Sequence, residues 1–212
     1  MILKQPTRLI LVRHGQSMAN AEQRVQGWAD DPLSPLGVQQ ATHLAAWLRQ
    51  HDAAIDQLVS SPLQRAHQTA VMLGNALGLA VEHHSGLREF GLGLLEDQPE
   101  AVLQAALQAG DIVETHGAEA MPVFADRIVT ALHEILDRHA GKTILVTAHL
   151  GVISTALAHW LDQNIGMAWT KYGRIPNTSM TELAIHTKFE LVQHAATPHL
   201  PAHLIPEHLR RR

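Results

Sequence analysis

A histidine follows the first long apolar run of the chain. Residues 9–12 are apolar and include β-branched side chains, and Arg13, His14 and Gly15 come directly after them. Such a run is typical of a strand buried on both faces of a parallel sheet, and ligands of open α/β sheets bind beyond the carboxyl ends of the strands. Arginine, histidine and free backbone N–H groups at one strand end suit a phosphate, and Gly15 lets the backbone turn sharply and approach it. Taken alone, the motif is equally consistent with a strand end at the surface.

A second apolar run also ends in a histidine. Residues 142–148 predict a strand, His149 follows at once, and a helix is expected to leave from it over 150–158. Because the carboxyl ends of parallel strands meet at one edge of a sheet, we expect His14 and His149 to face the same site. Two buried strands would then each deliver an imidazole to one place.

An arginine stands near the start of a predicted helix between these two strands. Residues 55–60 predict a strand, and Ser61 and Pro62 have the pattern of an N-cap and a first helical residue. Arg65 would then lie in the first helical turn, where free N–H groups and the macrodipole favour anions. An arginine in such a turn is usually solvated, and its place opposite a second strand end is what favours a functional role.

The predicted elements indicate an α/β fold. We expect a mostly parallel central sheet with an antiparallel edge, helices on both faces and a short helical lid insert. Hydrophobic periodicity and capping residues place the remaining elements as follows: a helix after Ser34-Pro35 with Ala41, Leu44, Ala45 and Leu48 inward; a strand from 79 to 81; a helix over 97–109 with Val102, Ala105, Ala106 and Ala109 inward; a linker over 110–118; a helix over 119–140 with Phe124, Ile128, Ala131, Leu132 and Ile135 on one face and Gly141 as its cap; and edge strands at 181–186 and 189–192.

Length and composition favour one domain. The 212 residues are 46% hydrophobic, which suffices for one large core but would leave two halves small. We therefore expect a single domain over 1–212, with an ordered loop over 18–33, a lid insert at about 94–118, and an irregular surface tail over 195–212 that ends in three arginines.

Charge and cysteine content narrow the classes of partner. A net charge of −4 and a pI near 6.4 argue against general attraction to nucleic acid or to a membrane surface. No stretch approaches the apolar length of a membrane span, and the lack of cysteine suits a reducing cytoplasm. The sequence leaves open whether the chain forms a homodimer. Sixteen histidines make any one of them weak evidence, so we expect His83, His84 and those at 194, 199, 203 and 208 to be surface residues and predict no metal site.

Four segments occur in an order known from one family. They are Arg13-His14-Gly15 after an apolar strand, residues 60–70 (Ser-Ser-Pro-Leu-Gln-Arg-Ala-His-Gln-Thr-Ala), Leu87-Arg88-Glu89 with Gly93, and residues 146–149 (Val-Thr-Ala-His). On these segments the chain resembles the histidine phosphatase superfamily, also called phosphoglycerate-mutase-like. The resemblance extends from the first strand to residues 177–179.

The resemblance implies a chemistry for each motif. His14 would attack phosphorus to give a phosphohistidine, which requires an unprotonated imidazole, and neighbouring cations should lower its pKa. Glu89 would protonate the leaving oxygen and then accept a proton from water, which requires a raised pKa. The oxygens of the phosphoryl group would be held by Arg13, Arg65 and His149. No cofactor and no metal ion would be needed.

The resemblance also marks binding residues and departures. Asn20 and Gln26 match loop positions that close over the phosphate. Leu150 stands where a second glycine is frequent, and it is expected to line and narrow the pocket. Glu96-Asp97 replaces a common Glu-Gly, and Leu94 and Leu95 replace acidic and tryptophan positions. For Glu89 the alternative is a surface acid paired with Arg88, for Asn20 a turn residue, and for His67 a structural role.

Three functions remain in competition at this point. The first is hydrolysis of small-molecule phosphate monoesters, and the second is phosphoryl transfer of the phosphoglycerate-mutase type. Residues 94–118 contain no lysine or arginine for a second anionic group, which favours hydrolysis and a substrate whose remainder carries little charge. Trp28 and the apolar lid suggest a sugar, nucleoside or aromatic phosphate. The third function, a phospho-ligand binder without catalysis, is disfavoured because every core residue is present.

Overall fold

One mixed sheet forms the centre of the molecule. The computed structural model describes residues 6–51, 53–110 and 112–209. Within these ranges the strands are β1 (Thr7–Arg13), β2 (Gln57–Ser60), β3 (Val81–His83), β4 (Thr143–Ala148), β5 (Met180–Ile185) and β6 (Phe189–Ala196). They are arranged in the order β3-β2-β4-β1-β5-β6, parallel from β3 to β1 and antiparallel at β5 and β6. The predicted α/β class with an antiparallel edge is confirmed.

Helices cover both faces of this sheet. In the described ranges they are α1 (Met18–Ala21), α2 (Pro35–Gln50), α3 (Gln64–Leu77), α4 (Glu100–Ala109), α5 (Ile112–His116), α6 (Met121–Arg138), α7 (Leu150–Leu157) and α8 (Ala168–Tyr172). Alternate residues of β1 point to opposite sides: Leu9 and Leu11 pack with α6 and α7, whereas Ile10 and Val12 pack with α2 and α3. This division explains why the strand is apolar along its whole length, since both faces are buried.

The starts of α2 and α3 differ from each other in how they are capped. Ser34 accepts from the Gly37 N–H with Pro35 at the first position, as predicted. The predicted N-cap at Ser61 is wrong, because α3 begins only at Gln64 after Leu63. The Ser61 hydroxyl is engaged instead with His149, at 2.8 Å from Nε2, and accepts from the Leu63 N–H at 3.3 Å.

The lid insert is helical but is built differently from the prediction. Helix α4 begins at Glu100 and buries none of its residues; Leu103 and Ala106 are its half-buried positions, whereas Val102 and Ala105 are exposed. The predicted linker contains α5, whose Ile112 packs with Leu95 and Ala118. Asp111 lies outside the described residues.

Helix α6 carries its apolar residues on the predicted face. All five residues predicted on that face are buried. The helix ends at Arg138, so Gly141 is not its cap; this glycine lies in the following turn with a φ of +80°.

The C-terminal segment is more firmly attached than an irregular surface tail. Residues 195 and 196 belong to β6, and the rest contains short 3₁₀ turns. Leu200 and Leu204 are buried, and Gln40 Nε2 donates to the Leu204 carbonyl at 2.8 Å. His199, expected at the surface, is buried beside Thr178. The three terminal arginines lie outside the described residues. Among the described residues, no helix is both long enough and apolar enough to cross a bilayer.

Candidate active site

The two strand-end histidines lie side by side. Strand β1 pairs in parallel with β4, so Arg13 is level with Ala148, and the His14 N–H donates to the Ala148 carbonyl at 3.0 Å. The imidazole centroids of His14 and His149 are 5.2 Å apart, and both side chains are buried. The predicted convergence of two imidazoles at one sheet edge is thus present in the structure.

Local contacts fix the orientation of the His14 ring. Its Nδ1 lies 2.6 Å from the carbonyl oxygen of Gly15, so Nδ1–H donates there and Nε2 carries the free lone pair. A Cβ at residue 15 would stand 2.6 Å from the Gly37 carbonyl oxygen. Gly15 therefore serves the close approach of α2, and the sharp turn towards an anion stays a prediction.

Two arginines contribute buried guanidinium groups. Arg65 is 1% exposed, and its two terminal nitrogens donate to the carbonyls of Gly27 and Ala29, each at 2.8 Å. Arg13 donates through Nη1 to the Ile175 carbonyl at 2.6 Å. Backbone oxygens hold both side chains, and neither guanidinium forms an ion pair with a carboxylate of the described residues.

Three buried nitrogen atoms of these histidine and arginine side chains are available to bind a ligand. Arg13 Nε, Arg65 Nε and His149 Nδ1 make no hydrogen bond within the described parts of the chain. A buried donor without a partner costs about 1–3 kcal/mol, so such atoms rarely persist without a functional reason. A tetrahedral anion bound between the side chains would supply the acceptors.

Glu89 is the acidic member of the site. Its Oε1 accepts from the Phe90 N–H at 2.9 Å and its Oε2 from the Gly151 N–H at 3.0 Å, at the start of α7. The Arg88 side chain instead packs over Trp28, with 5.5 Å between the guanidinium carbon and the ring centroid. Glu89 is therefore not a surface acid paired with Arg88.

Burial and like charge shift the pKa values of these groups in useful directions. Burial lowers the pKa of His14 well below its usual value, and Arg65 and Arg13 lower it further. Burial and Arg65 do the same to His149. Burial raises the pKa of Glu89 despite the opposing hydrogen bonds from Gly151 and Phe90. The pKa of Arg13 falls to about 10 because of burial, so this guanidinium stays charged at neutral pH. The direction predicted for His14 is present, but burial is a larger cause than the arginines.

The remaining predicted residues border this group. Asn20 Oδ1 accepts from the Ser17 N–H at 3.3 Å and lies 3.5 Å from Asn177 Nδ2, which also donates to the His14 carbonyl. Gln26 Oε1 accepts from the Ser17 hydroxyl at 2.6 Å. Leu150, the first residue of α7, is half-buried against the main core.

Asp97, which stands in the lid where the family commonly has a glycine, adopts an unusual backbone conformation. Asp97 has a φ of +64°, in the left-handed region that glycine adopts without strain. Its carboxylate pairs with Arg24, which also binds Asp31. This ion-pair network, lying between the loop after α1 and the lid, accompanies the strained backbone.

Arg127 is a residue of the site region that the sequence did not reveal. It donates from α6 to the carbonyls of Gly86, Arg88 and Glu89 at 2.9, 3.0 and 3.2 Å. Glu119 binds the same guanidinium through both oxygens and accepts from the Gly91 N–H. The pair thus holds the loop that carries Glu89 on both sides of that residue.

The other histidines that we weighed lie outside this group. His67 Nδ1 faces His83 Nε2 at 2.8 Å, and His84 faces Glu134 at 3.0 Å. Among the side chains that the structure describes, no three histidine, aspartate or glutamate groups converge as a metal site would require.

Comparison with known proteins gives a consistent family. The pattern of the histidine phosphatase superfamily (branch 1) matches residues 9–197. A glucosyl-3-phosphoglycerate phosphatase of Mycolicibacterium vanbaalenii is 32% identical over 195 residues, 85% of each chain. A probable phosphoglycerate mutase of Yersinia pestis is 35% identical over 150 residues, 67% of this chain and 69% of its own. The structure of a mycobacterial glucosyl-3-phosphoglycerate phosphatase with VO₃ superposes with a TM-score of 0.76 at 29% identity, covering 89% of this chain and 99% of its own.

Proposed function

The chain belongs to branch 1 of the histidine phosphatase superfamily, and on that premise we propose that it hydrolyses phosphate monoesters through a phosphohistidine on His14. The observation that carries this proposal is the group of two adjacent imidazoles and two guanidinium groups, in which three buried nitrogens have no partner among the described residues and could donate to an anion. A relative named as a phosphatase aligns over 85% of the chain and supports the same activity.

The first step transfers the phosphoryl group to His14. Nε2 attacks phosphorus while Nδ1–H stays bound to the Gly15 carbonyl, so the ring needs no reorientation. Arg13 and Arg65 bind the phosphoryl oxygens and offset the charge that develops in the transition state. Glu89, whose pKa is raised by burial, acts in its acid form and gives its proton to the leaving oxygen.

His149 completes the phosphate site as a hydrogen-bond donor. Ser61 lies 2.8 Å from its Nε2. A hydroxyl donated to Nε2 leaves the ring proton on Nδ1, the nitrogen that has no partner in the described chain. Bound phosphate would raise the pKa of His149, and the imidazolium form also donates through Nδ1. Either form therefore serves one phosphoryl oxygen.

The second step returns the enzyme to its starting state. Glu89, now a carboxylate, accepts a proton from water, and the water oxygen attacks the phosphorus bound to Nε2. The P–N bond breaks, phosphate leaves and Glu89 is again protonated. The side-chain carbonyl oxygens of Asn20, on α1, and Gln26, on the loop after it, accept hydrogen bonds within the protein, which leaves their amide N–H groups to donate to the phosphate.

Hydrolysis of p-nitrophenyl phosphate tests the proposal. The purified protein should release phosphate without added metal and at an unchanged rate in EDTA, and His14→Ala should abolish turnover. His51→Ala removes an exposed histidine that stacks on Trp47 and is the matched control. A strict metal requirement, or full activity of the His14 variant, would contradict the proposal.

Phosphoglycerate mutase activity is the second candidate, because one relative carries that name. It requires a second anionic group to be held while water is excluded. The lid segment 94–118 offers no lysine or arginine for that group. Isomerisation of 3-phosphoglycerate that depends on added bisphosphoglycerate and exceeds phosphate release would favour the mutase.

A further inference from the structure

Trp169 lies next to the carboxyl group of Glu89. A Cβ built on Gly151 would stand 2.2 Å from Glu89 Oε1 and 3.0 Å from Trp169 Cη2. The N–H of the same glycine donates to Glu89 Oε2 at 3.0 Å. The outer edge of the indole and the carboxyl group therefore share one side of Gly151.

This indole is half-exposed although its helix is anchored by other residues. Ala168 and Tyr172 are the buried residues of α8, whereas Trp169 is 43% exposed. Met167, which precedes it in the chain by two residues, is also 41% exposed. A large aromatic side chain beside a partly buried acid, with so much of its surface uncovered, is suited to contact a ligand.

We propose that Trp169 forms the binding surface for the leaving group, and that it favours phosphate esters whose leaving group contains a ring with an apolar face. This inference rests on the proposed function, since it assigns Glu89 as the acid. Such an acid must lie within hydrogen-bond reach of the leaving oxygen. A leaving group larger than a few atoms then continues past the carboxyl group and onto the neighbouring indole.

The charges around this surface disfavour a strongly anionic leaving group. Arg127, which contacts the Glu89 loop, is paired with Glu119. Lys171, on the same helix as Trp169, is paired with Asp162. The lid sequence over 94–118 contains no basic residue other than histidine. An aryl group or the C–H face of a sugar suits this surface better than a second phosphate.

Trp28, the tryptophan that the sequence analysis singled out, makes different contacts from Trp169. Its indole Nε1 donates to the backbone carbonyl of Glu89 at 2.7 Å, and the guanidinium carbons of Arg88 and Arg127 lie 5.5 and 5.8 Å from its ring centroid. It also lines an open groove of about 330 Å³ together with His84 and Arg88. Trp28 thus supports the loop backbone, whereas Trp169 flanks the carboxyl group.

Substrate selectivity of matched variants tests the inference. The ratio of kcat/KM for 2-naphthyl phosphate to that for glycerol phosphate would be measured in the wild type, Trp169→Ala and Trp169→Phe. We expect Trp169→Ala to lower this ratio by about tenfold, the effect of losing one aromatic contact, and Trp169→Phe to retain most of it. Inhibition by inorganic phosphate should be unchanged. Trp47→Ala, a partly buried tryptophan on α2, controls for general loss of stability.

The outcomes separate failure of this inference from failure of the proposed function. A wild type that cleaves no ester overturns the proposed function and the inference with it. A wild type that cleaves esters, with a Trp169→Ala variant whose ratio is unchanged, overturns the inference alone. Glucose 6-phosphate as a third substrate identifies the ring: a loss shared with the naphthyl ester shows that a sugar face is accepted, and a loss confined to the naphthyl ester restricts the surface to aryl groups.

Discussion

The phosphate end and the leaving-group end of the site are built in opposite ways. His14, His149 and Arg65 are at most 3% exposed, lie at strand ends or at a helix start, and are held by backbone oxygens or a hydroxyl group. Glu89 lies on a loop, Trp169 is half-exposed beside it, and the lid helix α4 buries no residue at all.

This difference separates chemistry from selectivity. Transition-state charge is stabilised best by donors that need no reorganisation, and buried strand ends provide them. Loops and a loosely packed lid tolerate change and can vary the surface that meets the leaving group. We therefore expect changes at the phosphate end to affect every ester alike and changes at the other end to depend on the leaving group.

Loss of Arg65 should have the largest effect. Arg65→Met removes a buried guanidinium from the phosphoryl site, and we expect kcat/KM to fall by about a thousandfold, as when a transition-state donor is removed. The fall should be equal for p-nitrophenyl phosphate and for glycerol phosphate. Arg8→Met, which removes an arginine of β1 that pairs with Glu182 on the neighbouring β5, is the control. A fall that differs strongly between the two esters would break the comparison.

Loss of the acid at Glu89 should depend on the leaving group. For glycerol phosphate, whose leaving oxygen needs a proton, we expect Glu89→Gln to lower kcat/KM, which reports the phosphorylation step, by about a hundredfold. For p-nitrophenyl phosphate the loss should be much smaller, because that leaving group is already a weak base. In the wild type, kcat/KM for glycerol phosphate should fall as the pH rises through the raised pKa of Glu89, because the acid form is then lost. Steady-state pH profiles should show this alkaline limb disappear in the glutamine variant.

Arg127 should act through Glu89 and therefore reproduce its pattern in weaker form. Arg127→Met frees the carbonyls of Gly86, Arg88 and Glu89, and we expect about a tenfold lower kcat/KM for glycerol phosphate with little change in kcat/KM for p-nitrophenyl phosphate. Arg138→Met is the matched control, because it removes an exposed arginine of the same helix that pairs with Glu82 on β3. Equal losses on both esters would indicate a merely structural role.

The buried imidazoles should also make the fold sensitive to acid. The pKa values of His14 and His149 are lowered in the folded protein, so below pH 6.5 the unfolded chain binds more protons than the native one. The free energy of unfolding should therefore fall as the pH falls below that value, by up to about 1.4 kcal/mol per pH unit for each histidine. Urea unfolding between pH 5 and pH 7 should show a shallower dependence in His149→Asn. An unchanged pH dependence of the free energy of unfolding in this variant would argue against a buried neutral His149.

The phosphate end was also the part that could be predicted. Unbroken apolar runs mark the buried strands, and a polar residue placed directly after such a run must lie where the strand ends, so His14 and His149 could be located from sequence. Arg65 was expected in the first turn of the helix that follows β2, and it lies there. The start of α3 could not, because the Ser61-Pro62 cap signal is outweighed by a contact between Ser61 and His149 that depends on the tertiary fold.

The structure of the lid and the residues that support Glu89 could not be predicted from the sequence, for other reasons. Helix α4 carries alanine, leucine and valine on several sides, so its periodicity did not single out the half-buried Leu103 and Ala106. Arg127 lies in the middle of a long helix, far in sequence from the loop it holds, and no local motif connects the two. Trp169 follows a π-helical segment, Ala158–Asp162, and a 3₁₀ turn, Ile165–Met167, which no simple period would predict.

Direct detection of the phosphorylated residue tests the central claim most sharply. Glu89→Gln should slow water attack more than phosphorylation by p-nitrophenyl phosphate, so rapidly quenched samples of this variant should accumulate acid-labile phosphate. We predict that mass spectrometry under alkaline conditions will place it on His14, at one phosphoryl group per chain at most, and that His149→Asn will slow its formation. Label on another residue, or turnover with no label on His14, would contradict a phosphoryl group that passes through this imidazole.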